Sequence, residues 1–129
     1  MTQRKNGFTI LELLVVIVLL AVIGIVTWNQ INNLESMRRD DQRRSDINSL
    51  YYNLEEIYFA KNKLYPITLS EENLPGIDDV AFKDTNDVLI NQDNSEYQYK
   101  PLDCSKAGCK GYTLRADLEN EADFVKNNR

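Results

Sequence analysis

Glu12 stands inside a run, residues 8–26, in which nearly every other residue is apolar. If that run lies in a bilayer, an ionised carboxylate within it costs about 2.5–3.5 kcal/mol on insertion scales. The chemistry open to it is pairing with a buried cation, unless it lies near enough to the cytoplasmic end to reach lipid headgroups. Cys104 and Cys109 form the second reactive pair, separated by Ser-Lys-Ala-Gly. A spacing of two would suggest redox chemistry or half a zinc site, and four intervening residues fit neither. A disulfide closing a small loop is the better reading if this part lies outside the cytoplasm, with two free thiols as the other. Catalysis finds no support. There is no His, no Gly-rich phosphate loop, no nucleophile elbow, and no carboxylate pair that the sequence itself places together.

The elements that must position these residues follow from the pattern of hydropathy. With 129 residues the chain has room for one domain and at most one extra segment. A basic stub holding Arg4 and Lys5 precedes the apolar run, as in a secretory signal peptide, but the run is too long for a signal core and no small-x-small cleavage site follows it. As a helix its 19 residues extend about 28 Å, close to the ~30 Å hydrocarbon thickness of a bilayer. The stub favours an orientation with Arg4 and Lys5 in the cytoplasm and the body outside. The net charge is −5, and loss of residues 1–7 would make it −7. Such a body repels nucleic acid phosphate, so no direct nucleic-acid site is expected beyond a local basic patch on an assembled surface.

Gly7-Phe8-Thr9-Ile10-Leu11-Glu12, preceded by basic residues and followed by an unbroken apolar helix, resembles the class III leader and N-terminus of type IV pilins and pseudopilins. The resemblance implies cleavage by a prepilin peptidase between Gly7 and Phe8, N-methylation of Phe8, and pairing of Glu12 with the N-terminal amine of a neighbouring subunit. The physics agrees. Cleavage creates an ammonium in an apolar setting, and a carboxylate that neutralises it makes the burial of both tolerable and sets the axial register between subunits. The resemblance also implies partners: further copies of the chain in a homopolymer, other pilins, the peptidase, an inner-membrane platform protein and an assembly ATPase. It implies a single-pass inner-membrane subunit in contact with lipid before assembly, and a cell-surface or periplasmic filament afterwards.

Beyond residue 27 the pattern stays helical, with no Pro or Gly between residues 25 and 65. Ile47, Leu50, Leu54 and Ile57 have the spacing of a buried stripe, which Tyr51 and Tyr58 widen into a face suited to packing on a sheet. The charged stretch 38–44 reads as a solvated helix face carrying the i,i+4 pairs Glu35/Arg39 and Asp40/Arg44, or alternatively as a basic site for a partner subunit. Pro66 ends the helix. Gly24 weakens it, whereas Asn29 and Gln30 stand where many family members have a proline. Residues 67–94 form a turn-rich connection with at most one helical turn near residues 79–83, and residues 88–90 form a short strand or an apolar plug. The strands expected next are 96–101 and 112–118, joined by a hairpin connection over residues 102–111, with an edge strand at Phe124 and Val125. Tyr97, Tyr99, Tyr112, Leu114, Ala116 and Leu118 would face the helix.

The expected fold is α+β and pilin-like, a long N-terminal helix packed on a small antiparallel sheet. Its parts are a leader at 1–7, a transmembrane and polymerisation helix at 8–27, an amphipathic continuation at 28–65, and a loop and sheet at 66–129. By the same resemblance, related pseudopilins bind calcium in the connecting loop, where Asp84, Asn86 and Asp87 offer hard oxygen ligands. The spacing is not that of an EF-hand, and Asx clusters also make turns without metal. No other cofactor is expected. The function expected is that of a structural subunit of a type IV pilus or pilus-like filament, serving adhesion, twitching motility or DNA uptake. The alternatives are a pseudopilin of a type II secretion-like system, or a minor pilin or adhesive binding module. A membrane-tethered enzyme is the weakest reading.

Overall fold

Thr9 caps the first helix. Its hydroxyl oxygen accepts the backbone N–H of Glu12 at 3.2 Å, and its carbonyl accepts the N–H of Leu13 at 3.1 Å. In this computed structural model, which describes residues 9–129, helix α1 runs Ile10–Tyr52. It continues through a π-helical turn, Asn53–Tyr58, into a last short turn, α2, Phe59–Asn62. Lys63 then takes a left-handed backbone conformation (φ 59°) and ends the helix, with its N–H bonded to the carbonyl of Phe59. The chain divides after Glu35 into two units.

The first unit is the apolar part of α1. Among its large side chains between Leu13 and Val26, even the least exposed, Val16, is 41 % accessible. A helix apolar on every side belongs in a membrane or in the core of a larger assembly, and this one is long and apolar enough to cross a bilayer.

The second unit packs the later helix against a three-stranded antiparallel sheet in the order β1-β2-β3, with β1 Tyr97–Ser105, β2 Gly108–Ala116 and β3 Phe124–Asn127. Ile47, Leu50 and Leu54 from the helix are fully buried with Tyr97, Tyr112, Leu114 and Ala116 from the sheet. Tyr65, Leu74 and Phe82 close the same core. The α+β, pilin-like arrangement is therefore present, and Tyr99 is buried with the other sheet residues while Leu118 is only partly covered.

Three local expectations are corrected. Ile57 is 51 % exposed, and Tyr58 and Phe59 pack on the core in its place. The wider π-turn rotates the helix face, burying Asn53, Leu54 and Glu55 in succession. The hairpin connection is far shorter than ten residues. Ser105 pairs with Gly108, so only Lys106 and Ala107 turn the chain. Gly108 has φ +144° and lies so close to Leu64 and the Tyr65 carbonyl that a Cβ would meet both at 3.0 Å. The third correction concerns the charged stretch, which is a solvated face only in part: Arg38, Asp41 and Gln42 are exposed, but Asp40 is 5 % exposed and Arg43 2 %.

Arg43 is the centre of that stretch. Nη1 donates to Asp40 Oδ1 (3.3 Å) and the Asp117 carbonyl (3.1 Å). Nη2 donates to Thr85 Oγ1 (3.1 Å), Glu96 Oε1 (2.7 Å) and Glu119 Oε1 (2.9 Å). Asp40 in turn accepts the backbone N–H groups of Glu119 and Asn120 and the Asn120 side-chain amide. Arg39 grips Glu119 with two bonds of 2.7 Å, and Arg44 pairs with Glu121. The helix charges thus reach across to the segment between β2 and β3, because folding brings acidic side chains and free backbone donors there within reach.

Burial alone would raise the Asp40 carboxyl, but the N–H groups of Glu119 and Asn120 and the Arg43 charge leave it below its ordinary value. Arg39 holds Glu119 low in the same way. Depressed carboxyl values mean that these two groups favour the folded state when ionised. That contribution is complete above the ordinary carboxylate range near pH ~4 and is lost as the pH falls toward the lower folded-state values. Asp46, raised by burial despite bonds from Tyr97 and Gln42, acts with the opposite sign. Asp40→Asn should therefore lower the urea midpoint at neutral pH and flatten its decline in acid. Arg43→Ala, which strands buried carboxylates, should cost about 3–5 kcal/mol, read from urea unfolding of the full chain in detergent.

Candidate assembly site

Glu12 lies exposed in the first turn of α1, at the third helical position after the Thr9 cap. The sequence Thr-x-x-Glu at a helix start is the pattern of a capping box, and a carboxylate there also meets the positive end of the helix dipole. Sequence reasoning gave Glu12 an intersubunit role or a place among lipid headgroups and missed this local one, although the Thr9-to-Glu12 spacing carried the signal. Gly7 and Phe8, the expected cleavage junction, lie outside the described residues, as do Arg4 and Lys5. Downstream the helix continues through Gly24, where a Cβ would meet nothing within 4 Å. The Thr27 hydroxyl donates to the carbonyls of Ile23 and Gly24.

Cys104 and Cys109 are cross-strand partners near the end of the β1–β2 hairpin and are joined by a disulfide. Cys109 also meets the exit of the helix. Its N–H and carbonyl bond the carbonyl and N–H of Tyr65 at 2.9 and 2.8 Å. The covalent staple and the docking of the helix exit therefore fall on one residue. Below it, the buried Glu55 carboxylate accepts the hydroxyls of Tyr65 and Tyr112, at 3.1 and 2.8 Å. Burial and the Glu55 charge push the Tyr65 hydroxyl up to about 12 and raise Tyr112 as well.

In the connecting loop, Asp84 is buried and serves the backbone. Its Oδ1 accepts the N–H groups of Asn86 and Val88, and its Oδ2 accepts that of Glu96. Asp87 pairs with Lys83 at 3.0 Å. Among the described residues no group of three or more His, Cys, Asp or Glu is gathered to hold a metal. A calcium ion taken by Asp84, Asn86 and Asp87 would compete with these bonds. Millimolar calcium or chelator should leave the thermal midpoint of the full chain in detergent unchanged; a rise of several degrees with calcium would show that the ion displaces the turn.

Residues 2–28 match the family model of the prokaryotic N-terminal methylation motif. That motif is the class III prepilin leader typical of type IV pilins and pseudopilins, so the N-terminus has the form of a prepilin-type processing substrate. Proteins with this leader are in general structural, self-assembling subunits processed by prepilin peptidase, and the apolar helix is consistent with the membrane anchoring of a pilin. No curated protein and no solved structure matches the chain.

Proposed function

We propose that this chain is a structural subunit of a type IV pilus or pilus-like filament, cut between Gly7 and Phe8, methylated on Phe8, and polymerised through α1. The observation that carries the reading is a helix apolar and exposed on all sides, attached to the methylation motif and interrupted by the single carboxylate Glu12. Exposure of that much apolar surface has no place in water. A bilayer covers it first, with the body outside, and packed helices of neighbouring copies cover it after assembly. Glu12 neutralises the new ammonium of a neighbour, so only cut subunits complete the pair. Segments 1–7, 8–27, 28–65 and 66–129 then act as leader, anchor and polymerisation helix, helix continuation, and loop-and-sheet head. Export would draw on a platform protein and a cytoplasmic ATPase. A surface fibre for adhesion, motility or DNA uptake is the first choice, and a periplasmic pseudopilin or a minor subunit is the alternative.

Mass spectrometry of fibres sheared from cells producing the full chain tests the reading. Chains starting at methylated Phe8 are expected in the sheared fraction, and their confinement to the cell envelope would favour the pseudopilin alternative. Glu12→Ala should leave membrane insertion intact and sharply reduce polymerisation; filaments at wild-type yield in that variant would remove Glu12 from the mechanism.

A further inference from the structure

The charge of the body is divided between two surfaces. Residues 66–94 hold seven acids against one lysine, net −6, while β1 and β2 with their turn hold Lys100, Lys106 and Lys110 against Asp103, net +2, the Arg115 charge being met by Asp117 and Asp123. On the acidic side lies a groove of about 940 Å³ between the helix and the loop. Asp41 and Asp78 line it, and neither carboxylate has an ion pair among the described residues. Tyr52, Ile57 and Val80, each more than half exposed, give the same groove an apolar wall. Asn53, in the π-turn, also lines it. This side chain is 5 % exposed, and its Oδ1 is buried without a hydrogen-bond partner. Arg44 lines the groove as well, with its charge met by Glu121 and its Nε left without a partner among the described residues. Asp41 and Asp78 still leave the lining net negative, which with the unmet Asn53 acceptor suits an occupant that brings N–H donors and positive charge.

The chain itself carries such an occupant. Lys106 is at the tip of the β1–β2 turn, with Lys110 beside it and Leu102 41 % exposed on β1. All three lysines of the hairpin are exposed and without ion pairs among the described residues. The turn is rigid, held by the Cys104–Cys109 disulfide and by Ser105, whose Oγ donates to the Gly108 carbonyl and accepts the Ala107 N–H. Little conformational entropy remains to be lost when it docks.

We infer that the Lys106 hairpin tip of one copy seats in the Asp41/Asp78 groove of the next copy. The inference rests on the filament reading and names a contact within it. Two different surfaces meeting head to tail form a heterologous interface, which leaves a free end on each side and propagates as an open helical polymer. Leu102 meets the apolar wall, the lysines meet Asp41 and Asp78, and like charge on the two acidic faces disfavours groove-to-groove pairing.

Zero-length carbodiimide coupling, applied to cells making the full chain and followed by mass spectrometry of the envelope and sheared fractions, is the test. Amide bonds from Lys106 or Lys110 to Asp41 or Asp78 of a second copy are expected. Lys106→Glu with Lys110→Glu should lower filament yield by about tenfold, and adding Asp41→Lys with Asp78→Lys should restore most of it, since the reversed charges again attract. Filaments whose crosslinks lie elsewhere, or charge reversals that the compensating pair does not restore, overturn the docking and leave the filament reading standing. Coupling of these lysines to a different protein also overturns it. Neither filaments nor crosslinks between copies would overturn both.

Discussion

A guanidinium taken out of water loses several kcal/mol of hydration unless its donors are met, and Arg43 is placed where that condition governs the body. Its two terminal nitrogens reach Asp40 on its own helix, Thr85 in the connecting loop, Glu96 ahead of β1, and Asp117 and Glu119 after β2. Four stretches of chain far apart in sequence therefore have their positions set by one cation. Only Nε lacks a partner among the described residues. The same helix face carries Asp46, which takes the Tyr97 hydroxyl, and Glu55, which takes those of Tyr65 and Tyr112. Between these anchors lie Ile47, Leu50 and Leu54. The seam alternates apolar packing with buried acids capped by tyrosine, so register and not merely burial is specified.

The parts legible in the sequence were those written in short-range pattern. The long helix, the 3₁₀ turn Asp79–Phe82, the alternating tyrosines of β1 and the edge strand β3 all announce themselves by periodicity or by the lack of breakers. The Arg43 network was not legible, because its side-chain partners other than Asp40 lie 42 to 76 residues away from it in the chain, and its remaining partner is a backbone carbonyl. Read locally, Asp40 and Arg44 looked like an i,i+4 pair on a wet surface. The short hairpin was hidden for a different reason. Cys, Ser, Lys and Gly suggest loop, and only the pairing across Cys104 and Cys109 turns them into strand ends. At the N-terminus the motif was fully visible, and the Thr9-to-Glu12 spacing of the cap was present in it but went unread.

The two units answer to different solvents. The apolar unit has nothing within itself to cover its side chains, and one carboxylate, Glu12, stands exposed near its beginning. The second unit is complete as a packed body, with a disulfide and a docked helix exit strengthening a thin core. The methylation motif lies wholly within the first unit.

Counted in residues, a π-turn is an α-helix with one insertion. The turn at Asn53–Tyr58 sends Ile57 outward and brings Tyr58 and Phe59 in. The seam thereby changes from aliphatic to aromatic in a single turn, just where Phe59 stacks on Tyr65 at 4.9 Å. A homologue one codon shorter in this stretch would close the bulge and bring the same two rings inward on a plain α-turn. The insertion therefore adds one outward position, held here by Ile57, without changing which rings meet the core.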